Sequence, residues 1–146
     1  VIEGPKPLVL PADGMDHLIK EANESGHRFV ARFVHKWEND LIRFDGVGEQ
    51  IIGLWSDGLL VAFAALHRDQ YLNDPKIGRL RHLYVANSFR KQGFGRCLVA
   101  HLLKDAQHFD LIRLRAGTES AANFYDHIGW KWVKEDTATH HWVFVM

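Results

Sequence analysis

One stretch constrains this chain more than any other: a strand that runs through a short loop into a helix opening on glycine. Leu83-Tyr84-Val85 is an apolar run, and Gly93-Phe94-Gly95-Arg96 begins a helical pattern. The helix is read over Gly93 to Gln107, with Phe94, Leu98, Val99, Leu102, Leu103 and Ala106 as its inward stripe. A helix start presents N–H groups with no intrahelical acceptor and a partial positive charge. Glycines there remove side chains that would hold a ligand off the backbone, and Arg90, Lys91 and Arg96 add cations nearby. The pattern suits an anion site made mostly of main chain. An ordinary strand-to-helix turn with solvated lysine and arginine is the plainer alternative.

The remaining chain supplies strands and helices in a fixed order. Leu8 to Leu10 reads as a strand closed by Pro11. Asp13 is a plausible N-cap for a helix carrying Met15, Leu18, Ile19 and Ala22 at helical spacing, ended by Ser25-Gly26. A second helix covers Phe29 to Asp40. Gln50 to Trp55 and Leu59 to Leu66 read as a hairpin around Asp57-Gly58. Ile77 to Val85 is the strand that leads into the glycine loop. Leu111 to Ala116 is a strand, Ser120 to Ile128 a helix with Ser120 as its cap, and Gly129 suits the αL position that ends it. Trp130 to Lys134 and His141 to Met146 are the last strands. Hairpins join most strands, and only the unit around Gly93 demands a parallel pair.

Composition narrows the partners. The 146 residues make one ordinary domain, residues 1–146, with 47% hydrophobic and 25% charged residues. Eighteen basic residues balance eighteen acidic ones, so nothing pulls the chain toward nucleic acid or an anionic membrane. No apolar run is long enough to span a bilayer. The single cysteine, Cys97, forms no internal disulfide and is expected to be a small buried residue. With Val1 to Pro5 unlike a signal peptide, a cytoplasmic location is expected. Ten histidines are present, none at metal-ligand spacing; His101, His108, His140 and His141 are read as surface or edge residues.

Two competing phosphate loops do not fit. The third glycine of a Rossmann fingerprint is Leu98 here, and the Gly-Lys-Ser/Thr of a Walker loop is missing. Instead Arg90-Lys91-Gln92-Gly93-Phe94-Gly95 resembles the Arg/Gln-x-x-Gly-x-Gly/Ala signature of the GNAT superfamily of N-acetyltransferases. Phe124-Tyr125-Asp126-His127-Ile128-Gly129-Trp130 resembles that family's second signature, at the right distance downstream. The resemblance is specific in the second half of the chain and loose in the first. It implies an α+β fold: a mixed, mostly antiparallel sheet of about six to seven strands, a splayed parallel pair in its middle and about four helices around it.

The resemblance also implies a chemistry. Acetyl-CoA is the expected co-substrate, its pantetheine arm paired with the backbone of Leu83 and Val85, and Tyr84 between them is counted with the cofactor-binding residues. The pyrophosphate is expected on the amides of Lys91, Gln92, Gly93, Gly95 and Arg96, with Arg90 and Phe94 also among the cofactor-binding residues and Asn123 on the far side. Tyr125 is the expected acid for the departing thiolate, since a phenol is protonated at neutral pH. The Val85 N–H is expected to face the carbonyl oxygen. Relatives often use a glutamate on the strand before the loop as base; Arg79, Leu80, Arg81 and His82 stand there instead, leaving His82 as the nearest titratable group and Glu38 or Glu119 as more distant ones. Relatives often carry asparagine seven residues before the tyrosine, where this chain has Thr118. Acceptor contacts are expected from Arg28, Phe29, Arg32, Phe33, Trp37 and Glu38 and from Asp136 to His141, with Phe29, Phe33 and Trp37 the aromatic members. The acceptor is a small-molecule or peptide amine, the assembly a monomer or homodimer paired through the last strand. A non-catalytic acyl-CoA-binding module, or a phosphate-binding domain unrelated to CoA, are the competing readings.

Overall fold

The computed structural model describes residues 1–144. In chain order the elements are β1 (Ile2–Pro7), α1 (Met15–Glu24), α2 (Phe29–Glu38), β2 (Gln50–Ser56), β3 (Leu59–Arg68), β4 (Ile77–Val85), α3 (Phe94–Lys104), β5 (Leu111–Leu114), α4 (Glu119–His127), β6 (Lys131–Glu135) and β7 (Ala138–Val143). The strands form one seven-stranded sheet in the order β1-β2-β3-β4-β5-β7-β6. Every neighbouring pair is antiparallel except β4 and β5. This is the mixed sheet with one parallel pair at its middle that the sequence pattern implies.

Local chemistry accounts for the main elements. Leu60 to Leu66 are all buried, because β3 lies inside the sheet with helices over both faces. Asp57 (φ 50°) and Gly58 (φ 82°) make the tight turn between β2 and β3, the left-handed pair that matches strand twist. Helix α1 buries Met15, Leu18 and Ala22, one helical stripe.

The register sorts side chains between the two layers of helices. Phe63 stacks on Phe33 of α2 at 5.4 Å, and Tyr84 meets Phe29 edge-on at 5.9 Å. Since Phe63 pairs with Tyr84, Ala65 with Arg81 and His67 with Arg79, all of these face α1 and α2. On the opposite face a side chain at Gly78 would strike Phe109, and one at Gly95 in α3 would meet Phe124 of α4 at 3.5 Å and Val85 at 3.7 Å. Helices α3 and α4 therefore share the second face.

Strand β4 carries an extra residue. Between Phe63↔Tyr84 and Ala65↔Arg81 it spends three steps against two in β3, and His82 sits there at φ 62°. This bulge kinks the strand just before the glycine loop. Parallel pairing with β5 stops at Arg79↔Arg113, so the two strands fork beyond that point.

Several expectations need correction. The first strand is Ile2–Pro7, before Leu8 to Leu10; an edge strand tolerates Pro5 and Pro7 because their missing N–H groups need not join a ladder. Asp13 does not cap α1; Gly14 does, with no side-chain hydrogen bond. Thr118, not Ser120, caps α4, its hydroxyl accepting from the Ala121 N–H at 3.1 Å. The last strand begins at Ala138, because the hairpin turns between Glu135 and Ala138; Val145 and Met146, expected to complete it, lie outside the described residues. It is also internal, paired to β5 and β6, so its backbone is not free to pair across a dimer. Cys97 is exposed. His140 is fully buried, its Nε2 2.8 Å from Asp126 Oδ1.

Candidate active site

The glycine loop meets the physical demands of an anion site. Lys91 (φ 61°) and Gly93 (φ 87°) turn the chain into α3, whose first intrahelical bond runs from the Cys97 N–H to the Gly93 carbonyl at 3.0 Å. The N–H groups of Phe94, Gly95 and Arg96 therefore have no acceptor within the helix. No side chain caps this end, and a Cβ at Gly93 would meet nothing within 4 Å. The positive pole of α3 opens onto empty space beside the fork.

Side chains of the loop divide into two groups. Lys91, Gln92 and Arg96 are exposed, and Gln92 donates to the Ser88 carbonyl at 3.3 Å. Phe94 packs on Phe89 at 6.2 Å. Arg90 turns back to the strand: its Nε donates to the Val85 carbonyl at 2.8 Å and its guanidinium lies 5.3 Å from the Tyr84 ring centre. Arg90 thus braces the end of β4. The Tyr84 side chain points to the α1 face, where its hydroxyl donates to Glu21 at 2.5 Å; the same carboxylate oxygen accepts from the Asn87 N–H at 2.8 Å. Burial and that carboxylate raise the Tyr84 pKa. Glu21 therefore ties α1 to both ends of the strand–loop junction. Nothing in the spacing of α1 singles it out from Lys20 or Glu24, since its partners lie 63 and 66 residues away.

Comparison with known proteins fits this geometry. The family model for the acetyltransferase (GNAT) domain matches residues 47–132. The chain belongs to the GNAT acetyltransferase family. A crystal structure from Exiguobacterium sp. 255-15, assigned as an acetyltransferase, superposes with a TM-score of 0.83 at 22% identity, over 98% of this chain and 92% of that one. A GNAT-family acetyltransferase from Staphylococcus aureus Mu50 gives 0.72 at 17% identity, over 97% and 96%. The AtaT toxin, in complex with the C-terminus of the antitoxin AtaR, gives 0.69 at 19% identity, over 98% and 90%. At these identities the likeness is one of fold. No curated protein matches the chain significantly in sequence. Membership makes it an acyltransferase, a family that works with acyl-CoA; the open end of α3 and the forked strands fit such a ligand.

The two residues singled out for GNAT chemistry lie on opposite faces of the fork. Tyr125 is on the α4 side, 8% exposed, its ring packed by Phe124 at 5.0 Å, Trp130 at 5.7 Å and His140 at 6.0 Å. His140 pairs across to Leu114, one residue beyond the last β4–β5 pair, which places Tyr125 by the β5 arm of the fork. Burial alone pushes its pKa above the usual phenol range, so it holds its proton at neutral pH. Asn123, two residues earlier, is exposed. His82 is on the α2 side, its ring 4.8 Å from Phe33 and 6.3 Å from Phe44. Desolvation first, then the charges of Arg81, His67 and Lys36, press its pKa down to about 3.

The aromatic residues of α2 are not gathered into one pocket. Phe33 is fully buried and backs His82, while Phe29 packs on Tyr84. Trp37 stacks on Phe44 at 6.3 Å, and the two line a cavity of about 340 Å³ with Leu8, Ile51, Arg43 and Glu49. Phe44, which touches His67 as well as His82, had no periodic pattern to mark it.

Proposed function

We propose that this acyltransferase moves an acetyl group from acetyl-CoA to a primary amine by direct attack across the β4–β5 fork. One observation carries the reading: the fork separates an open, uncapped helix start and the buried phenol of Tyr125 on one face from the imidazole of His82 on the other. Acetyl-CoA supplies the acetyl group as a thioester, and the products are an amide and a free thiol. Phe94, Gly95 and Arg96 amides, with the exposed Lys91 and Arg96 side chains, are suited to hold a pyrophosphate. Leu83 and Val85, on the α3 face of the kinked strand, are suited to carry the pantetheine arm. The Val85 N–H is proposed to face the carbonyl oxygen as negative charge gathers there.

One proton must leave the nitrogen and one must reach the sulfur. Tyr125 is the proposed donor, on the side where the thiolate departs. The acceptor needs its amine uncharged, and the positive charge of Arg81 and Lys36 that disfavours protonated His82 disfavours an ammonium ion there too. As the thiolate leaves and the nitrogen takes on amide character, its extra proton becomes strongly acidic, so a base as weak as His82 is proposed to take it during that collapse. The acceptor is proposed to be a small molecule or peptide, met on the α2 face by Phe29 and Trp37 with Phe33 behind them; likeness of fold to a toxin does not choose among these.

The test combines binding with turnover. Saturating acetyl-CoA and CoA should raise the melting temperature by several degrees, equivalent to about 2.7 kcal/mol at a hundred times Kd, and ADP should do little. On a panel of primary amines with thiol release as readout, Tyr125→Phe should lower kcat at least about a hundredfold with acetyl-CoA affinity unchanged. Binding without release of thiol on any amine would leave an acyl-CoA-binding module, the reading favoured by the missing carboxylate beside the fork. No shift with any CoA species would overturn the cofactor assignment.

A further inference from the structure

Three arginines face the α2 side where β4 and β5 part. Arg79 and Arg81 project from β4 and Arg113 from β5, with Arg79 directly opposite Arg113, and Arg115 follows one residue beyond the end of β5. Among the described residues one fully buried carboxylate, Asp69, answers them. Asp69 Oδ2 accepts from Arg79 Nη1 at 3.2 Å and from Arg113 Nη1 at 3.0 Å, while its Oδ1 accepts the backbone N–H groups of Tyr71 and Leu72 at 2.8 and 3.1 Å. That carboxylate is saturated.

Spare positive charge and spare donors remain. Arg113 is 2% exposed, yet its Nε has no hydrogen-bond acceptor; the nearest carboxylate, on half-exposed Glu135, is 3.7 Å away. Arg115 spends Nη1 on the Asp136 carbonyl at 3.0 Å and is otherwise exposed. Arg81 is partly buried between Arg79 and His82 and forms no ion pair among the described residues. Lys36, from α2, adds charge to the same place. A half-buried guanidinium without a partner is costly unless something supplies the counter-charge.

We infer that the acceptor amine carries its own anion, a carboxylate or phosphate, held by Arg81 at the α2 face of the fork. The guanidinium fork matches either group through paired N–H bonds. An anion fixed one residue from His82 holds the amine against the point where β4 and β5 part. The inference rests on the acyl-transfer reading for its direction of approach, and it names the class of substrate that reading leaves open.

The experiment uses matched amines on the intact chain with CoA present. L-Phenylalanine is compared with 2-phenylethylamine, and phosphoethanolamine with ethanolamine, by calorimetry and by thiol release from acetyl-CoA. At least one anionic member should bind tenfold or more tightly than its neutral partner, and whichever pair shows the larger ratio identifies carboxylate or phosphate. Arg81→Ala should bring that ratio close to one, Arg81→Lys should keep part of it, and Arg81→Glu should reverse it. Melting curves of the three variants separate loss of recognition from loss of fold. Equal binding of both members in both pairs, no binding of either anionic amine, or a ratio indifferent to Arg81→Ala, overturns the inference. Anion preference in calorimetry with no thiol released by any amine would instead sink the transfer reading and leave this one standing.

Discussion

Two helices of this molecule open on the same device and put it to different use. Gly14 before α1 and Gly93 before α3 both hold a left-handed backbone, at φ 96° and 87°, and neither helix has a side-chain cap. A Cβ at Gly14 would lie 2.8 Å from the Leu60 backbone nitrogen, whereas one at Gly93 would meet nothing. At Gly14 the missing side chain lets a helix press on β3, and the Leu60 N–H donates to the neighbouring Asp13 carbonyl at 2.9 Å. At Gly93 it leaves a positive helix pole uncovered. A glycine at a helix start is thus a packing device or a binding device according to what stands opposite, and sequence does not tell them apart by itself.

The sharpest way to break the comparison is Gly14→Ala. Left-handed strain plus a backbone clash should cost about 3 kcal/mol of stability in denaturant melts. Acetyl-CoA affinity of the folded fraction should stay unchanged; a selective loss of affinity would mean that both glycines serve the ligand. Gly93→Asp comes next. The carboxylate has room and the αL backbone suits aspartate better than most residues, so stability should change by less than about 1 kcal/mol. Acetyl-CoA affinity should fall at least about tenfold, because a negative charge occupies the anion's place. Unchanged affinity would remove the pyrophosphate from this loop. The smallest effect is expected at α4, where Thr118 already caps the helix. Thr118→Ala should cost about 1 kcal/mol and leave acetyl-CoA binding alone, as befits a helix start that is closed to ligands.

The contrast also shows what could be read beforehand. Periodicity, the Asp57-Gly58 turn and the glycine loop are local signals, and they gave the order of elements, the β4–β5 parallel pair and the helix that opens on glycine. Both aspartate and serine cap predictions failed, at Asp13 and Ser120, because general cap preference was outweighed by the packing of Gly14 and by Thr118. His140 was expected near the surface and is buried against Asp126; a histidine can be buried when its ring nitrogens find partners. The polar face of the fork was illegible for a related reason. Asp69 reaches Arg79 ten residues away and Arg113 forty-four residues away, and no spacing rule links such partners. Of the candidate site, the backbone cradle at the start of α3 was legible, and the buried charges on the other face of the fork were not.

The bulge at His82 changes the parity of β4. In a regular strand residues 79, 81, 83 and 85 would look the same way; here Arg79, Arg81, His82 and Tyr84 do, and Leu83 and Val85 look the other way. Counting back by twos from the glycine loop therefore lands on the wrong face. Removing that single residue would restore an even ladder and exchange inside for outside on one half of the strand. Any alignment that slides a gap through Arg81 to Tyr84 swaps the wall that faces α1 and α2 for the wall that faces α3 and α4, so in this strand the numbering of one residue decides which layer of helices a side chain meets.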